Sequence, residues 1–282
     1  MKLVVTGANG QLGQAFVREL TRRSIQFWAV ERTDCDITKA EQVHELLDVQ
    51  RPSVLINCAA YNLVDDAEGN RTAAFDVNTE AVKILAHACK ARGIKFVHYS
   101  SDYVFDGKKG SPYLEEDATN PVNVYGLSKY VGESALRTIL SDHLVFRTSW
   151  VYGKGKQNFL HKLSQWAQHR SEIKISDDEV SVPTSVEDIV SVTLKALDKR
   201  IAGLYHLTSS GYASRYQWAE AFVKAAGLTT KLVPVPRSSF GLKAQRPPFS
   251  AMSNEKIAKE LNIRIPSWQE GVEKYVRSME EK

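Results

Sequence analysis

The segment Leu3-Val4-Val5-Thr6-Gly7-Ala8-Asn9-Gly10-Gln11-Leu12-Gly13 decides the fold class of this chain. Its apolar start is typical of a strand buried on both faces, and the amphipathic stretch that follows predicts a helix. Gly7, Gly10 and Gly13 have the spacing GxxGxxG, which differs from the GxGxxG of ordinary dehydrogenases. Glycines permit positive φ and close approach of a ligand, and a helix N-terminus attracts anions. The segment therefore predicts a seat for a dinucleotide pyrophosphate; a turn that only packs the first helix is the alternative.

Short apolar runs alternate with amphipathic stretches through the first 150 residues. The predicted strands are Leu3–Thr6, Phe27–Val30, Val54–Asn57, Phe96–Ser100 and Leu144–Arg147. The predicted helices are Gln11–Arg23, Lys39–Gln50, Asn70–Ala91 and Val124–Leu140. Repeated βα units with right-handed crossovers predict an α/β fold with a Rossmann-type, doubly wound parallel sheet. We assign residues 1–150 to a dinucleotide-binding domain.

The alternating pattern loosens after residue 150. The predicted elements there are helices at Asn158–His169, Ser185–Leu197 and Tyr216–Ala226, a strand at Gly203–Leu207 and a helical tail from Ser253. Pro234, Pro236, Pro247 and Pro248 predict extended loops. We expect residues 151–282 to form mainly a smaller substrate-binding lobe, with part of this chain returning to the first domain. Such a lobe would cover the carboxyl edge of the sheet, where ligands of open α/β sheets bind.

Composition and charge exclude several classes of protein. The 282 residues carry a net charge of +4 without a run of five like charges, so we expect no nucleic-acid partner. Cys35, Cys58 and Cys89 lack paired spacing, and the histidines show no ligand spacing, so we assign no disulfide framework and no metal site. No apolar stretch reaches membrane-spanning length and no signal-peptide pattern begins the chain. These features predict a cytoplasmic protein with no membrane partner.

The segment Glu31-Arg32-Thr33-Asp34-Cys35-Asp36-Ile37 follows the second predicted strand, where the ribose and adenine of a dinucleotide are expected. Asp36 is the candidate contact, with Ile37 beside it. Glu31 favours NAD, because a carboxylate accepts hydrogen bonds from a free ribose 2′-hydroxyl. Arg32 favours NADP, because a guanidinium pairs with the 2′-phosphate. The sequence therefore leaves both NADPH and NADH open.

The motif Tyr125-Gly126-Leu127-Ser128-Lys129 places a phenol and an ammonium one turn apart on a predicted helix. A free tyrosine has a pKa near 10, and a neighbouring cation favours the phenolate. We therefore expect Lys129 to lower the pKa of Tyr125 into the range useful for acid–base catalysis. Ser100 and Ser101 end the fourth strand, and we select Ser101 as the catalytic hydroxyl because alternation should direct one of the two away. Together these groups predict a nicotinamide-dependent enzyme that acts on a carbonyl or an alcohol.

On these residues the chain resembles the extended short-chain dehydrogenase/reductase family, and within it enzymes that reduce dTDP-4-keto-6-deoxy sugars. The resemblance covers nearly the whole chain. It rests on the glycine turn, the Tyr125–Lys129 motif and six further blocks, which are Asn57-Cys58-Ala59-Ala60-Tyr61, Val64-Asp65-Asp66-Ala67-Glu68, Ser101-Asp102-Tyr103-Val104-Phe105, Arg147-Thr148-Ser149-Trp150-Val151-Tyr152-Gly153, Asn158-Phe159 and Arg246-Pro247.

The resemblance implies a role for each matching position. The implied coenzyme contacts are Gly7, Asn9, Gly10, Gln11 and Leu12 at the pyrophosphate, Asp36 and Ile37 at the adenine side, and Ala59, Ala60, Tyr61, Tyr125 and Lys129 at the ribose and nicotinamide. Tyr125 would donate the proton, with Ser101 orienting the reacting oxygen. The implied contacts to the dTDP-sugar substrate are Asp102, Tyr103, Val104, Trp150, Asn158 and Arg246, the last at the nucleotide or its diphosphate.

The activity that the resemblance implies is NAD(P)H-dependent reduction of a sugar C4 keto group, for cell-surface or spore polysaccharide. A magnesium requirement and a homodimer stay open. Three positions depart from the family pattern. The family usually has Asp-Gln-x-Gly-x-Pro-Thr where this chain has Asp178-Glu179-Val180-Ser181-Val182-Pro183-Thr184. It also usually has threonine where this chain has Asn62. We expect these changes near the sugar, so the exact sugar stays open.

Two other functions fit the same fold. A sugar-nucleotide epimerase or dehydratase is the first, but dehydrating relatives carry an Asp-Glu pair after the strand-end hydroxyl, and here Asp102 is followed by Tyr103. A non-catalytic dinucleotide-binding regulatory subunit is the second. Such a subunit needs no acid–base tyrosine, so Tyr125, Lys129 and Ser101 together favour an enzyme.

Overall fold

A parallel six-stranded sheet forms the centre of the computed structural model, which describes residues 1–155 and 158–280. The strands, in chain order, are β1 (Leu3–Thr6), β2 (Phe27–Val30), β3 (Val54–Asn57), β4 (Lys95–Ser101), β5 (His143–Thr148), β6 (Val151–Tyr152), β7 (Glu172–Ser176), β8 (Val180–Ser181), β9 (Thr184–Ser185), β10 (Gly203–His206), β11 (Ala213–Ser214) and β12 (Lys231–Val235). The central sheet has the order β2-β1-β3-β4-β5-β10, and each neighbouring pair is parallel. The predicted doubly wound sheet is therefore confirmed.

Helices cover both faces of this sheet. In chain order they are α1 (Gln11–Arg22), α2 (Ala40–Gln50), α3 (Val64–Ala67), α4 (Arg71–Phe75), α5 (Ala81–Arg92), α6 (Val124–Ile139), α7 (Phe159–His169), α8 (Val186–Asp198), α9 (Arg215–Ala225), α10 (Glu255–Leu261) and α11 (Trp268–Glu280). Leu3 and Val5 of β1 pack in one core with residues of α1 and α8. Val4, pointing the other way, packs with residues of α2 and α5. Burial on both faces explains why β1 and β3 are apolar up to their last residue.

The helix predicted over Asn70–Ala91 is interrupted in the structure. It consists of α4, a π-helical turn at Asp76–Glu80 and α5. The π-turn packs against α6, where a Cβ on Gly132 would lie only 2.0 Å from the carbonyl oxygen of Asn78. Hydrophobic periodicity does not reveal such a bulge, because α4 and α5 both still pack against α6.

The second half of the chain adds short two-stranded sheets, which pair β11 with β8, β12 with β7 and β6 with β9. The prediction of an extended loop at Pro234 is wrong, since this residue lies in β12. β12 is paired with β7 over Lys231–Val235, and an edge strand tolerates proline because its outer side needs no donor. Trp218, Tyr152 and Phe222 form a separate apolar core in this half of the chain. Among the helices of residues 1–155 and 158–280, none has the length and apolar character needed to cross a membrane.

Replacement of Gly132 by alanine tests the close contact between α6 and the π-turn. Because the added methyl meets backbone at 2.0 Å, we expect Gly132→Ala to lower the free energy of unfolding by about 1–3 kcal/mol, the usual cost of overpacking. Urea denaturation measures this loss. Gly69→Ala is the matched control, since its Cβ would meet only Asp66 O at 3.8 Å; equal stability losses in the two variants would contradict the contact.

Candidate active site

The carboxyl ends of β1, β3, β4 and β5 meet at one edge of the sheet, where open α/β folds bind ligands. A cavity of about 360 Å³ lies at this edge, within the usual size of a small-molecule site. The predicted site residues that line it are Gly10, Gln11, Leu12, Ala59, Ala60, Ser101, Asp102, Tyr103, Tyr125, Lys129 and Trp150. The structure thus brings the glycine turn and the Tyr–Lys pair into one cavity.

The glycines of the first turn allow close backbone packing. Gly7 has a φ of +67°, and a Cβ there would lie 2.5 Å from the backbone nitrogen of Ala59. A Cβ on Gly13 would lie 2.3 Å from the carbonyl oxygen of Gly7. Gly10 is the N-cap of α1 and supplies no side-chain cap, so the helix N-terminus keeps N–H groups for an anion. The turn therefore fits the pyrophosphate of a dinucleotide.

Tyr125 and Lys129 lie one turn apart on α6, and both line the cavity. The helix is capped by Asn123, whose Oδ1 accepts a hydrogen bond from a first-turn N–H at 2.7 Å. Glu68 accepts a second N–H of that turn at 2.9 Å. The ring of Tyr103 packs edge-on against Tyr125, with 5.9 Å between centroids. These contacts fix the start of α6 and the phenol that it carries.

Lys129 is a buried amine with a backbone partner. Its Nζ donates a hydrogen bond to the carbonyl oxygen of Tyr99, the third-last residue of β4, at 2.6 Å. Burial lowers the pKa of Lys129 to about 8, and the carboxylate of Glu133 acts in the opposite direction. The amine is therefore mostly protonated at neutral pH, and little water screens its charge.

Tyr125 is the weaker acid of the pair. Burial raises its pKa to about 12, the hydroxyl of Ser101 opposes this rise, and the carboxylate of Asp102 adds to it. The prediction that Lys129 lowers the pKa of Tyr125 below its ordinary value is wrong in this structure, because desolvation dominates and the amine is directed to a carbonyl. A phenol that stays protonated at neutral pH still suits a proton donor, since an alkoxide is a much stronger base than a phenolate.

Ser101 and Asp102 form a polar cluster beside Tyr125. Ser101 Oγ donates to Asp102 Oδ1 at 3.1 Å and accepts from the backbone N–H of Tyr103 at 3.1 Å. Asp102 Oδ2 accepts from the hydroxyls of Ser181 and Ser250 at 2.8 and 2.6 Å. Burial raises the pKa of Asp102 to about 6, against the three hydroxyl donors. Because Ser181 and Ser250 come from the second half of the chain, their hydrogen bonds to Asp102 link that half to the end of β4.

Five of the predicted coenzyme residues lie outside the cavity wall: Gly7, Asn9, Asp36, Ile37 and Tyr61. Asp36 Oδ1 accepts two hydrogen bonds from Thr38 at 3.0 and 2.8 Å, and Ile37 is buried in the core beside β2. The Tyr61 hydroxyl donates to Asp66. Asp36 and Ile37 follow β2, next to the glycine turn, so their contact with the coenzyme stays a prediction.

Three of the predicted substrate residues also lie outside this wall. Val104 is buried against Phe105. Asn158 caps α7 by accepting the His161 N–H at 2.9 Å, and its own amide donates to Gly153 O at 2.8 Å. Both side chains are thus used for packing and capping. Their contact with a substrate stays a prediction.

Arg246, the third of these, is engaged in an ion pair. Its two terminal nitrogens bind the two oxygens of Asp65 at 3.1 and 2.6 Å, and the backbone N–H of Ala244 donates to the same carboxylate at 3.0 Å. The loop that carries Arg246 is thereby fastened to α3. Contact with a diphosphate, which we predicted for Arg246, would require exchange of the Asp65 carboxylate for phosphate.

Polar residues that the sequence did not predict also line the cavity, namely Asn57, Ser100, Thr148 and Ser149. Strand alternation led us to expect that one of Ser100 and Ser101 would point away from the cavity, but both line it. β4 ends at Ser101, and the chain then enters the 3-10 turn Asp102–Val104. The hydroxyls of Ser100 and Thr148, with Gln11 Oε1 and Trp150 Nε1, are buried without a partner among the described residues. Buried polar atoms require hydrogen bonds, so these four fit polar groups of a bound ligand.

The three positions that depart from the family pattern lie beside the cavity. Asn62 Oδ1 is 3.5 Å from the Tyr125 hydroxyl. Ser181 donates to Asp102. Glu179 Oε1 accepts from the Tyr103 hydroxyl at 3.3 Å. Across residues 1–155 and 158–280, no group of three or more His, Cys, Asp or Glu side chains is arranged to hold a metal ion.

Comparisons with known proteins agree with this geometry. The sequence profile of the family described as "RmlD substrate binding domain" matches residues 1–281. A dTDP-4-dehydrorhamnose reductase of Burkholderia thailandensis is 40% identical, over 99% of both chains. The crystal structure of a dTDP-4-dehydrorhamnose reductase from Clostridium acetobutylicum superposes with a TM-score of 0.96 at 32% identity, covering 99% of this chain and 100% of that one. The enzyme of that name from Bacillus anthracis, solved with NADP, gives 0.95 at 32% identity over 98% and 99%.

The pH dependence of stability tests the burial of Asp102. Its pKa of about 6 in the folded protein exceeds the ordinary 3.8, so its stabilising contribution is present below about pH 4 and is lost as pH rises through 6. We expect the stability of the wild type relative to Asp102→Asn to fall by about 2 kcal/mol between pH 4 and 7. Urea denaturation across this range measures the difference. Asp198→Asn, at an exposed position, is the control, and a pH-independent difference for Asp102→Asn would contradict the assignment.

Proposed function

The chain belongs to the RmlD substrate binding domain family, and we propose that it reduces the C4 keto group of dTDP-4-dehydro-L-rhamnose to give dTDP-L-rhamnose, with NAD(P)H as reductant. One observation carries the proposal: Tyr125, Lys129 and Ser101 line the same cavity as the glycine turn Gly10–Leu12. The activity is the one named for relatives that match along nearly their whole length. The sugar nucleotide would lie against the residues contributed by the second half of the chain.

Each catalytic group has a distinct task. The reduced nicotinamide, when bound, supplies a hydride to the ketone carbon. The Tyr125 hydroxyl donates its proton to the carbonyl oxygen, so that C=O becomes CH–OH. Ser101 Oγ holds that oxygen beside the phenol. Lys129, whose Nζ is held at the carbonyl of Tyr99, would contact the nicotinamide ribose.

The residues around Asp102 favour reduction over dehydration or epimerisation of a sugar nucleotide. Dehydration needs an additional acid–base group beside the strand-end hydroxyl. Here the next residue after Asp102 is Tyr103, whose hydroxyl is bound to Glu179. A regulatory role without catalysis is disfavoured because the proton donor, the cation and the orienting hydroxyl all line one cavity.

We further propose NADPH as the preferred coenzyme. The side chain of Arg32 follows β2 and is 84% exposed, with only a 3.5 Å contact to Asp36. A guanidinium at this position can pair with the 2′-phosphate of NADPH. The relative from Bacillus anthracis was crystallised with NADP.

An absorbance assay tests the activity directly. Purified protein with dTDP-4-dehydro-L-rhamnose should consume reduced coenzyme with formation of an equal amount of dTDP-L-rhamnose, and NADPH should support the faster rate. Product identity is checked by nuclear magnetic resonance. Turnover of the sugar nucleotide without any consumption of reduced coenzyme would reject the reductase in favour of an isomerase or a dehydratase.

Removal of the phenolic hydroxyl tests the proton donor. We expect Tyr125→Phe to lower kcat at least about a hundredfold, because loss of a general acid usually has this effect, while NADPH still binds with nearly unchanged Kd. Tyr130→Phe is the matched control, since Tyr130 lies on the same helix and lines a separate surface groove. A Tyr125→Phe variant with wild-type turnover would exclude Tyr125 as the proton donor.

Replacement of Arg32 tests the coenzyme preference. Arg32→Ala should raise the KM for NADPH about tenfold, the scale of one charge-assisted hydrogen bond, and leave the KM for NADH nearly unchanged. The measured quantity is the ratio of the KM for NADPH to the KM for NADH within each variant. General damage to the protein changes both KM values and leaves their ratio unchanged. An unchanged ratio would mean that Arg32 does not contact the 2′-phosphate.

A further inference from the structure

Glu179 is a buried carboxylate that the proposed proton and hydride transfers do not use. Its side chain is 6% exposed, and it lies directly before β8. One of its oxygens, Oε1, accepts a hydrogen bond from the Tyr103 hydroxyl at 3.3 Å and lies 3.5 Å from Nη2 of Arg215. The backbone adds a further link, because the Arg215 N–H donates to the Glu179 carbonyl at 3.0 Å. Glu179 therefore holds two side chains that come from separate elements.

The first of these side chains forms part of the cavity wall. Tyr103 lines the cavity, and its ring meets that of Tyr125 edge-on, at 5.9 Å and an interplanar angle of 80°. Edge-on aromatic contacts favour one relative orientation of the rings. The hydrogen bond to Glu179 holds the opposite, hydroxyl end of Tyr103. The position of this wall therefore depends on Glu179.

The second side chain contacts another wall residue. Arg215 Cζ lies 3.9 Å from the ring centre of Trp150, well within cation–π range. Trp150 also stacks on Trp218 at 5.6 Å and 16°. The backbone of Trp150 has a φ of +39°, which bulky residues rarely adopt. Surrounding contacts must therefore hold this residue in place, and Arg215 is one of them.

We propose that Glu179 is a positioning residue for the sugar, because it holds Tyr103 directly and Trp150 through Arg215. The two aromatic rings then offer fixed apolar surfaces to the C–H face of a pyranose, and so select its orientation relative to Tyr125. This inference rests on the proposed function, since it assigns the sugar of the reductase substrate to the cavity end that Tyr103 and Trp150 line.

Kinetics of two Glu179 variants provide the first test. Glu179→Ala should raise the KM for the dTDP-4-keto sugar about tenfold, lower kcat less, and leave the KM for NADPH unchanged, because the glycine turn is untouched. Glu179→Gln keeps an acceptor for Tyr103 but loses the charge facing Arg215, so it should restore part of the affinity. Glu172→Gln is the control, since it removes an exposed ion pair with Lys231 in the same half of the chain.

Trp150 itself provides the second test, through a measurement that needs no turnover. The fluorescence difference between a protein and its Trp150→Phe counterpart reports the emission of Trp150 together with its effect on the stacked Trp218. We expect Glu179→Gln to shift this difference spectrum and Glu172→Gln to leave it unchanged. In the Trp150→Phe background, the effect of Glu179→Gln on the sugar KM should shrink, because the link from Glu179 through Arg215 to Trp150 is already lost.

The outcomes separate this inference from the proposed function. If the wild type does not reduce the keto sugar, the proposed function fails, the assignment of a sugar falls with it, and the fluorescence still reports whether Glu179 holds Trp150. If the wild type is active, an unchanged sugar KM in both Glu179 variants overturns the inference. An equal rise of the sugar and NADPH KM values, together with a lowered Tm, overturns it too, since general disruption would explain both. If Glu179→Ala does not fold, the sugar KM and the Trp150 difference spectrum of Glu179→Gln decide the outcome.

Discussion

The buried ammonium of Lys129 is the constraint on which the rest of the site depends. A fall of its pKa from 10.5 to about 8 corresponds to about 3 kcal/mol against the charged form. The hydrogen bond from the amine to the carbonyl of Tyr99 offsets part of this cost, and the residue lines the same cavity as Tyr125. The end of β4 and the first turns of α6 must therefore stay in fixed contact, since a displaced amine would lose its partner and remain desolvated.

A second buried charge pair maintains that contact. Arg147 of β5 donates two hydrogen bonds to Glu133 of α6, at 3.0 and 2.6 Å, and both side chains are almost fully buried. Glu133 is one helical turn beyond Lys129, so the pair fastens α6 to the strand next to β4. Removal of either partner would leave an uncompensated buried charge, which is strongly destabilising. The arrangement therefore keeps the helix that carries Tyr125 and Lys129 in register with the sheet.

The parts of the site that sequence predicted are those in which the decisive residues are close along the chain. Gly7 to Gly13 form one turn, and Tyr125 and Lys129 share one helix face, so spacing alone placed them. Asp102 was predicted as a sugar contact, yet its carboxylate meets hydroxyls as far as 148 residues away. Arg246 likewise meets a carboxylate 181 residues away. No local pattern encodes such pairs, and burial, which sets the pKa of Tyr125, is a property of the folded cavity.

The two ends of the cavity differ in whether their residues are close together or far apart along the chain. The end that holds Tyr125 and Lys129 depends on motifs within single elements. The other end depends on Ser181, Ser250 and Glu179, which act on Asp102 and Tyr103 from across the fold. A substitution there acts on Tyr125 only through Asp102 and Tyr103, whose ring packs edge-on against that of Tyr125. The departures at Glu179 and Ser181 fall on the side of the cavity to which we assign the sugar.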